Sequence, residues 1–222
     1  MPASSIDNLV IEKTEDYVKA LLSGEGTGHD WWHILRVTKL AKHIAKQESA
    51  NLLVVELTAL LHDIADWKFH DGDINKGPSV AREWLGKLSL DPLLIDQVCD
   101  NIANISFKGA NVTQKPLSLE GQIVQDADRL DALGAIGIAR AFAYGGFKQR
   151  PLYEPDLKPM LHSSFEAYKN HQGTTVNHFY EKLLLLKDKM NTQSAKNIAE
   201  ERHQIMENYL TQFFSEWEII SN

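Results

Sequence analysis

The stretch of residues 60–66, Leu-Leu-His-Asp-Ile-Ala-Asp, places a histidine and an aspartate directly at the end of an apolar run. Apolar residues recur near helical spacing from Leu52 to Ile64, and Asn51 is a suitable N-cap, so the pattern predicts a core helix. Burying an imidazole and a carboxylate is costly unless they are paired or bound to a metal ion. We therefore expect His62 and Asp63 to lie in a half-exposed cleft or to coordinate an ion.

The dipeptide His-Asp by itself identifies no site, because it occurs three times, at 29–30, 62–63 and 70–71. Only the second pair follows a long apolar helix. The first follows a glycine-rich stretch and the third lies in a polar stretch, so both are expected in loops or at helix starts. The pair at 62–63 is therefore distinguished from the other two by the helix that precedes it.

Composition restricts the class of protein. A chain of 222 residues can bury a sizeable core, and its single cysteine, Cys99, excludes an internal disulfide and a cysteine-rich zinc site. The start of the chain lacks a signal-peptide pattern, and no apolar run approaches the ~18 residues that span a bilayer. We expect a soluble cytoplasmic protein that does not enter a membrane. The net charge of −7 argues against a broad nucleic-acid surface.

Hydrophobic periodicity predicts an all-α fold, with no convincing strand pattern. Helices are expected over about 5–22, 29–49, 52–64, 79–88, 91–105, 119–143, 175–190 and 192–219. Gly145 and Gly146 are expected to end the longest of the central helices. The whole chain, 1–222, is interpreted as one compact domain in which 175–219 form closing helices. The stretch 147–175 is rich in Pro, Gly, His and Tyr, which predicts an irregular segment with at most one short helix near 164–169. It is longer than an ordinary connection and is therefore a candidate substrate lid or mobile loop.

Three separate helices present metal-ligand side chains on otherwise apolar faces. His33 lies on the apolar stripe of the second predicted helix, and Asp128 follows in the sixth, so both can join the pair at 62–63. Asp131 shares a helix face with Asp128, whereas Asp126 points about 160° away from it. The hypothesis is that the three helices converge on one site.

These residues carry a resemblance to a family. The ordered set of His33, His62-Asp63 and Asp128, with the flanking sequences at 32–37 and 126–130, resembles the HD-domain metal-dependent phosphohydrolases over about residues 25–145. With 105–109 and 128–132 included, the sequence is similar to the small bacterial branch of predicted HD hydrolases that has nucleotide pyrophosphohydrolase members. The resemblance implies an all-α HD-domain fold and one divalent cation held by His33, His62, Asp63 and Asp128.

Two imidazoles and two carboxylates form a mixed set of nitrogen and oxygen ligands. Such a set is more typical of a site for Mn²⁺, Mg²⁺, Fe²⁺, Co²⁺ or Ni²⁺ than of a structural zinc site, in which thiolates dominate. Four protein ligands leave positions for a water and a phosphate oxygen. The expected reaction is attack by water at phosphorus, with a nucleoside triphosphate cleaved to the monophosphate and pyrophosphate. A 5′-nucleotidase, a cyclic-nucleotide phosphodiesterase and a guanosine tetraphosphate hydrolase stay open, as do a nucleotide-sensing protein and an interaction protein without turnover.

Further side chains are candidates for the reaction. Asp66, four residues after His62, is a candidate general base, with orientation of His62 as the equally weighted alternative. Candidate phosphate contacts are Arg36, Lys68, Lys108 and Arg129. Surface ion pairs or solvated side chains would explain each of these cations as well or better. Lys182 and Lys187 could also face the site, but their spacing of five does not align them on one helix face.

Overall fold

The computed structural model describes residues 5–22, 30–65, 76–105, 116–160 and 173–218. In these ranges it contains nine α-helices, one 3₁₀-helix and no strand, which confirms the predicted all-α fold. The helices are α1 (Ser5–Leu21), α2 (Trp31–Gln47), α3 (Leu52–Leu61), α4 (Lys76–Gly86), α5 (Pro92–Ile105), α6 (Leu119–Asp131), α7 (Gly134–Phe147), α8 (Thr175–Glu181), the 3₁₀-helix (Leu183–Lys189) and α9 (Gln193–Glu218). Asp66, Lys68, Lys108 and the predicted helix at 164–169 lie outside the described residues.

The chain forms two compact units, Met1–Ala127 and Asp128–Asn222. The division falls inside α6, so the first unit contains α1 to α5 and most of α6. The second contains the last turn of α6 and all later elements. That residues 1–222 act as a single domain stays a prediction. None of the described helices is both long enough and apolar enough to cross a membrane.

Helix α3 is the centre of the first unit. It packs against α1, α2 and α5, and each of its residues from Val54 to Leu61 is buried. Asn51 caps it as predicted, because the Asn51 side chain accepts a hydrogen bond from the Val54 N–H at 3.4 Å. The buried core around α3 consists of Val10, Val18, Ile34, Val54, Leu57, Leu60, Leu61, Ala81, Leu85, Ile95, Val98, Cys99 and Ile102.

The predicted end of α3 was wrong by three residues. The helix ends at Leu61 rather than Ile64, and residues 62–65 form turns in which the Ile64 N–H donates to the Leu61 carbonyl at 3.3 Å. A bond between residues three apart tightens the chain at a helix end. His62 and Asp63 therefore follow the helix, and the described residues 62–65 do not continue it.

The single long helix predicted over 119–143 was also wrong, because the chain contains two helices there. Helix α6 ends at Asp131, and α7 begins at Gly134, whose φ of +70° favours glycine. The Arg202 guanidinium donates to the Leu130 carbonyl at 2.5 Å and so satisfies one of the last acceptors of α6. Gly145 and Gly146 do not end α7, which continues to Phe147.

We predict that Gly134→Ala lowers the free energy of unfolding by about 1–3 kcal/mol, because a side chain is strained at this φ. An added Cβ would also lie 3.1 Å from Arg202 Cγ. Gly146→Ala is the matched control, since a Cβ there meets no atom within 4 Å, and we expect it to be neutral or slightly stabilising. Urea unfolding followed by circular dichroism measures both. Equal changes in the free energy of unfolding for the two substitutions would contradict the conclusion that the separation of α6 and α7 requires glycine at position 134.

The second unit contains the closing helices, with one difference from the prediction. Residues 175–190 form a short α-helix and a 3₁₀-helix, separated at Lys182, where φ and ψ are −142° and −58°. The final helix begins after Thr192 as predicted, with the Thr192 hydroxyl accepting from the Ala195 N–H at 3.3 Å. Residues 148–160 contain turns and bends but no helix. The lid over 147–175 stays a prediction, since 161–172 lie outside the described residues.

Candidate metal centre

His33 is delivered by the first turn of α2. Asp30 caps this helix, and one of its carboxylate oxygens accepts from the His33 backbone N–H at 2.9 Å. The His33 side chain lies on the buried face of α2 and is 1% exposed, as its place on the apolar stripe predicted. The buried residues of this face are His33, Ile34, Val37, Thr38, Ala41, Ile44 and Ala45.

His62 is the first residue after α3, and its ring orientation is fixed by the backbone. Its Nδ1 lies 2.8 Å from the Ala59 carbonyl oxygen, which can only accept, so Nδ1 carries the proton and donates. The neutral ring then has its lone pair on Nε2. A backbone carbonyl that fixes the tautomer in this way is typical of metal-binding histidines. His62 is 8% exposed, so this lone pair is largely shielded from solvent.

Asp63 lies between the two histidines. One of its carboxylate oxygens, Oδ2, is 3.5 Å from His33 Nε2 and 3.6 Å from His62 Nε2. The two imidazole rings have centroids 5.5 Å apart. Both nitrogen–oxygen distances are longer than the ~2.9 Å of an ordinary hydrogen bond. Two ligands on one ion at ~2.1 Å lie ~3 Å apart when adjacent, so these separations are close to those of a shared cation.

Asp128 supplies the third element of the cluster. One ligand atom each from His33, His62 and Asp128 lies within 4.8 Å of the others, so this cluster could hold a metal ion. Asp128 is partly buried, and it follows Ala127 on the continuous helix α6. The donor chemistry also fits, because two imidazole nitrogens with carboxylate oxygens suit a divalent transition metal or Mg²⁺.

The other two aspartates of α6 are buried and have different surroundings. Asp131 Oδ2 accepts from the Arg140 guanidinium at 2.6 Å, which forms an ion pair between the end of α6 and α7. Asp126 is fully buried and lies two residues before Asp128, on nearly the opposite side of α6. The sequence analysis placed Asp131 on the helix face of Asp128 and did not identify Arg140 as its partner.

The four predicted phosphate contacts have different outcomes. The Arg129 guanidinium donates to the Lys189 main-chain carbonyl within the second unit. Arg36 is partly buried on α2, almost one turn after His33. Lys68 and Lys108 lie outside the described residues, as stated above. A role in substrate binding stays a prediction for all four.

Sequence reasoning missed the Ala59 carbonyl that orients His62. The carbonyl is a backbone group, so no side-chain pattern identifies it. The available signal was the spacing, because a histidine just after a helix is within reach of the carbonyl three residues earlier. Asp30 was also not identified as the cap of α2, although Asp is a favoured N-cap residue.

Comparison with known proteins identifies a family and several relatives. The family model described as HD domain matches residues 31–133, which include all four proposed ligands. The uncharacterised protein YpgQ of Bacillus subtilis (strain 168) is 40% identical over 202 residues, which are 90% of this chain and 90% of YpgQ.

Two crystal structures are similar over nearly the whole chain. An HD-superfamily hydrolase from Bacillus thuringiensis has 43% sequence identity and a TM-score of 0.76, over 96% of this chain and 98% of its own. Bacillus subtilis YpgQ in complex with ADP has 37% identity and a TM-score of 0.77, over 95% of this chain and 96% of its own. The similarity therefore extends beyond the residues that the family model matches.

Proposed function

The chain belongs to the HD-domain superfamily, and on that premise we propose that it is a divalent-metal-dependent phosphohydrolase acting on nucleotides. The observation that carries the proposal is the orientation of His62. The hydrogen bond from its Nδ1 to the Ala59 carbonyl leaves the Nε2 lone pair in the cluster with His33 and Asp128. A buried cluster of this kind is costly to form unless its members pair with one another or hold a cation, and a cation would compensate both carboxylates at once.

His33, His62, Asp63 and Asp128 would hold the cation, with Mn²⁺ as the first candidate and Mg²⁺, Fe²⁺, Co²⁺ or Ni²⁺ as alternatives. A divalent cation there would polarise a phosphoryl oxygen and lower the pKa of water. The burial of the two histidines limits the access of bulk water to their Nε2 atoms. The Ala59 carbonyl keeps the His62 ring in one tautomer, so that Nε2 is the ring atom that this ligand would present to a cation.

The proposed substrate is a nucleoside triphosphate. Support comes from the similar YpgQ structure, which is in complex with ADP. In the proposed reaction, water attacks the α-phosphorus, a new P–O bond forms, and the bond to the β-phosphate oxygen breaks to release pyrophosphate. Asp66 would take the proton from the attacking water. Arg36, Lys68, Lys108 and Arg129 are the proposed contacts to the negatively charged phosphates.

The test is hydrolysis of a panel of nucleotides by the full-length protein with Mn²⁺ present, with the products separated chromatographically. We expect equimolar nucleoside monophosphate and pyrophosphate from at least one triphosphate. Release of inorganic phosphate alone would indicate a 5′-nucleotidase or another phosphohydrolase. Tight nucleotide binding without any product would contradict hydrolysis and favour a nucleotide sensor.

A further inference from the structure

Asp30 is connected to a proposed metal ligand through the backbone at the start of α2. One of its carboxylate oxygens accepts from the His33 N–H at 2.9 Å, and His33 lies in the first turn of the helix. The Asp30 carbonyl accepts from the Ile34 N–H at 3.3 Å, which begins the regular bonding of the helix. The side chain therefore satisfies one of the N–H groups that a helix leaves without intrahelical partners at its start.

The turn that carries His33 is held by burial on one side and by the cap at its end. Ile34 and Val37 are fully buried on the inner face of α2, and Trp31 packs against the core of the first unit. His33 Nε2 lies 3.5 Å from Asp63 Oδ2, so the ring faces another proposed ligand. Burial determines which face of the helix points inward. Because helix ends fray, the cap determines how well the turn with His33 is ordered.

The charge of Asp30 has a separate effect on a cation near this turn. The N-terminal end of a helix carries a partial positive charge, which is unfavourable for a cation bound to a side chain of the first turn. The first turn of α2 contains no acidic residue. The Asp30 carboxylate at the N-cap therefore supplies a negative charge that offsets the helix dipole beside the proposed cation.

Asp91 has the same arrangement at the start of α5, without a metal ligand behind it. Its carboxylate accepts from the Leu93 N–H at 2.9 Å, and its carbonyl accepts from the Ile95 N–H at 3.1 Å. Helix α5 carries none of the four proposed ligands. The two aspartates share residue type, charge and position before a helix, and they differ in what the following turn carries.

We propose that Asp30 is a positioning residue of the metal site. Its hydrogen bond orders the turn that places His33, and its charge offsets the helix dipole beside the cation. Asp30 is not a member of the cluster of possible metal ligands found among the described residues, so it acts through His33. The inference rests on the proposed function, because it concerns the cation of that site.

The first test is the affinity for Mn²⁺, measured by isothermal titration calorimetry on the full-length protein without nucleotide. We expect Asp30→Ala to weaken Mn²⁺ binding by about 3–30-fold, the range that corresponds to the loss of an N-cap. Asparagine is also a good N-cap, so Asp30→Asn should lose only the charge and weaken binding by about 2–5-fold. Unchanged Mn²⁺ affinity in Asp30→Ala, or no recovery of affinity in Asp30→Asn, would overturn the proposal.

Asp91→Ala is the matched control for a loss of stability. Each alanine variant loses one charged cap, so we expect similar decreases in the midpoint of urea unfolding for both. The Mn²⁺ affinity of Asp91→Ala should change by less than about twofold, because α5 holds no ligand in place. Equal losses of Mn²⁺ affinity in the two alanine variants would overturn the proposal, since reduced stability would then explain both.

Hydrogen exchange of the His33 amide, followed by NMR without metal, separates this inference from the proposed function. We expect faster exchange in Asp30→Ala than in the unsubstituted protein, and nearly unchanged exchange in Asp30→Asn, because the asparagine side chain can still accept the bond. Unchanged exchange in Asp30→Ala would overturn the positioning role. Absence of Mn²⁺ binding by the unsubstituted protein would instead contradict the proposed function, and with it the role of Asp30 toward a cation.

Discussion

Replacing Asp128 with alanine is expected to abolish nucleotide hydrolysis and to weaken metal binding by more than about 100-fold. Residues that only hydrogen-bond to metal ligands already change metal affinity by about 10–100-fold when they are substituted, and loss of a ligand should have a larger effect. The carboxylate is within 4.8 Å of the His33 and His62 ligand atoms, so its loss removes one of the negative charges that compensate the cation. The helical content should be nearly unchanged, because Asp128 is only partly buried. Metal analysis by mass spectrometry, circular dichroism and an activity assay measure the three quantities.

Asp126→Asn is the matched control for this substitution. It changes a carboxylate on the same helix to an amide of the same shape, and Asp126 is not a member of the cluster of possible metal ligands found among the described residues. We expect this variant to retain its metal. Full metal occupancy in Asp128→Ala, or loss of metal in Asp126→Asn, would move the ligand assignment to another aspartate of α6.

Replacing Asp66 with asparagine has the second-largest expected effect. If Asp66 is the general base, turnover should fall by about 10²–10⁴-fold while metal binding is retained, because asparagine cannot accept the proton from water. The comparison of kcat and metal content between the variant and the unsubstituted protein measures this. Helix α3 ends at Leu61, so the spacing of four residues between His62 and Asp66 is not evidence that they share a helix face. The assignment of Asp66 therefore depends on the kinetic test.

Asp71→Asn provides the control for Asp66. It lies in the same polar stretch of sequence, belongs to another His-Asp pair, and is not assigned to the reaction. We expect the turnover of this variant to stay within about twofold of that of the unsubstituted protein, because Asp71 has no assigned role in proton transfer. A decrease of only a fewfold in Asp66→Asn would instead assign Asp66 to the orientation of His62.

Helical periodicity was sufficient to predict the all-α fold and the burial of His33. The apolar stripe of α2 placed His33 on the buried face, and the structure gives it an exposure of 1%. Asn51 was identified as an N-cap because the capping side chain and the helix that it caps are adjacent in sequence. Information within one or two turns of the chain determined these features.

The errors occurred where distant residues determine the local structure. The break between α6 and α7 is accompanied by the bond from Arg202 to the Leu130 carbonyl, 72 residues away in sequence. The partner of Asp131 is Arg140, nine residues away, in a helix whose direction depends on that break. Helical spacing between Asp128 and Asp131 could not predict that one lies in the cluster and the other pairs with arginine.

The dependence of hydrolysis on a divalent cation tests the central proposal most directly. The full-length protein is stripped with a chelator and assayed against a nucleoside triphosphate while Mn²⁺ is added back, with monophosphate and pyrophosphate measured together. We predict that activity disappears on chelation, returns with Mn²⁺ at about one ion per chain, and yields the two products in equal amounts. Hydrolysis that continues unchanged in the stripped protein would contradict the account.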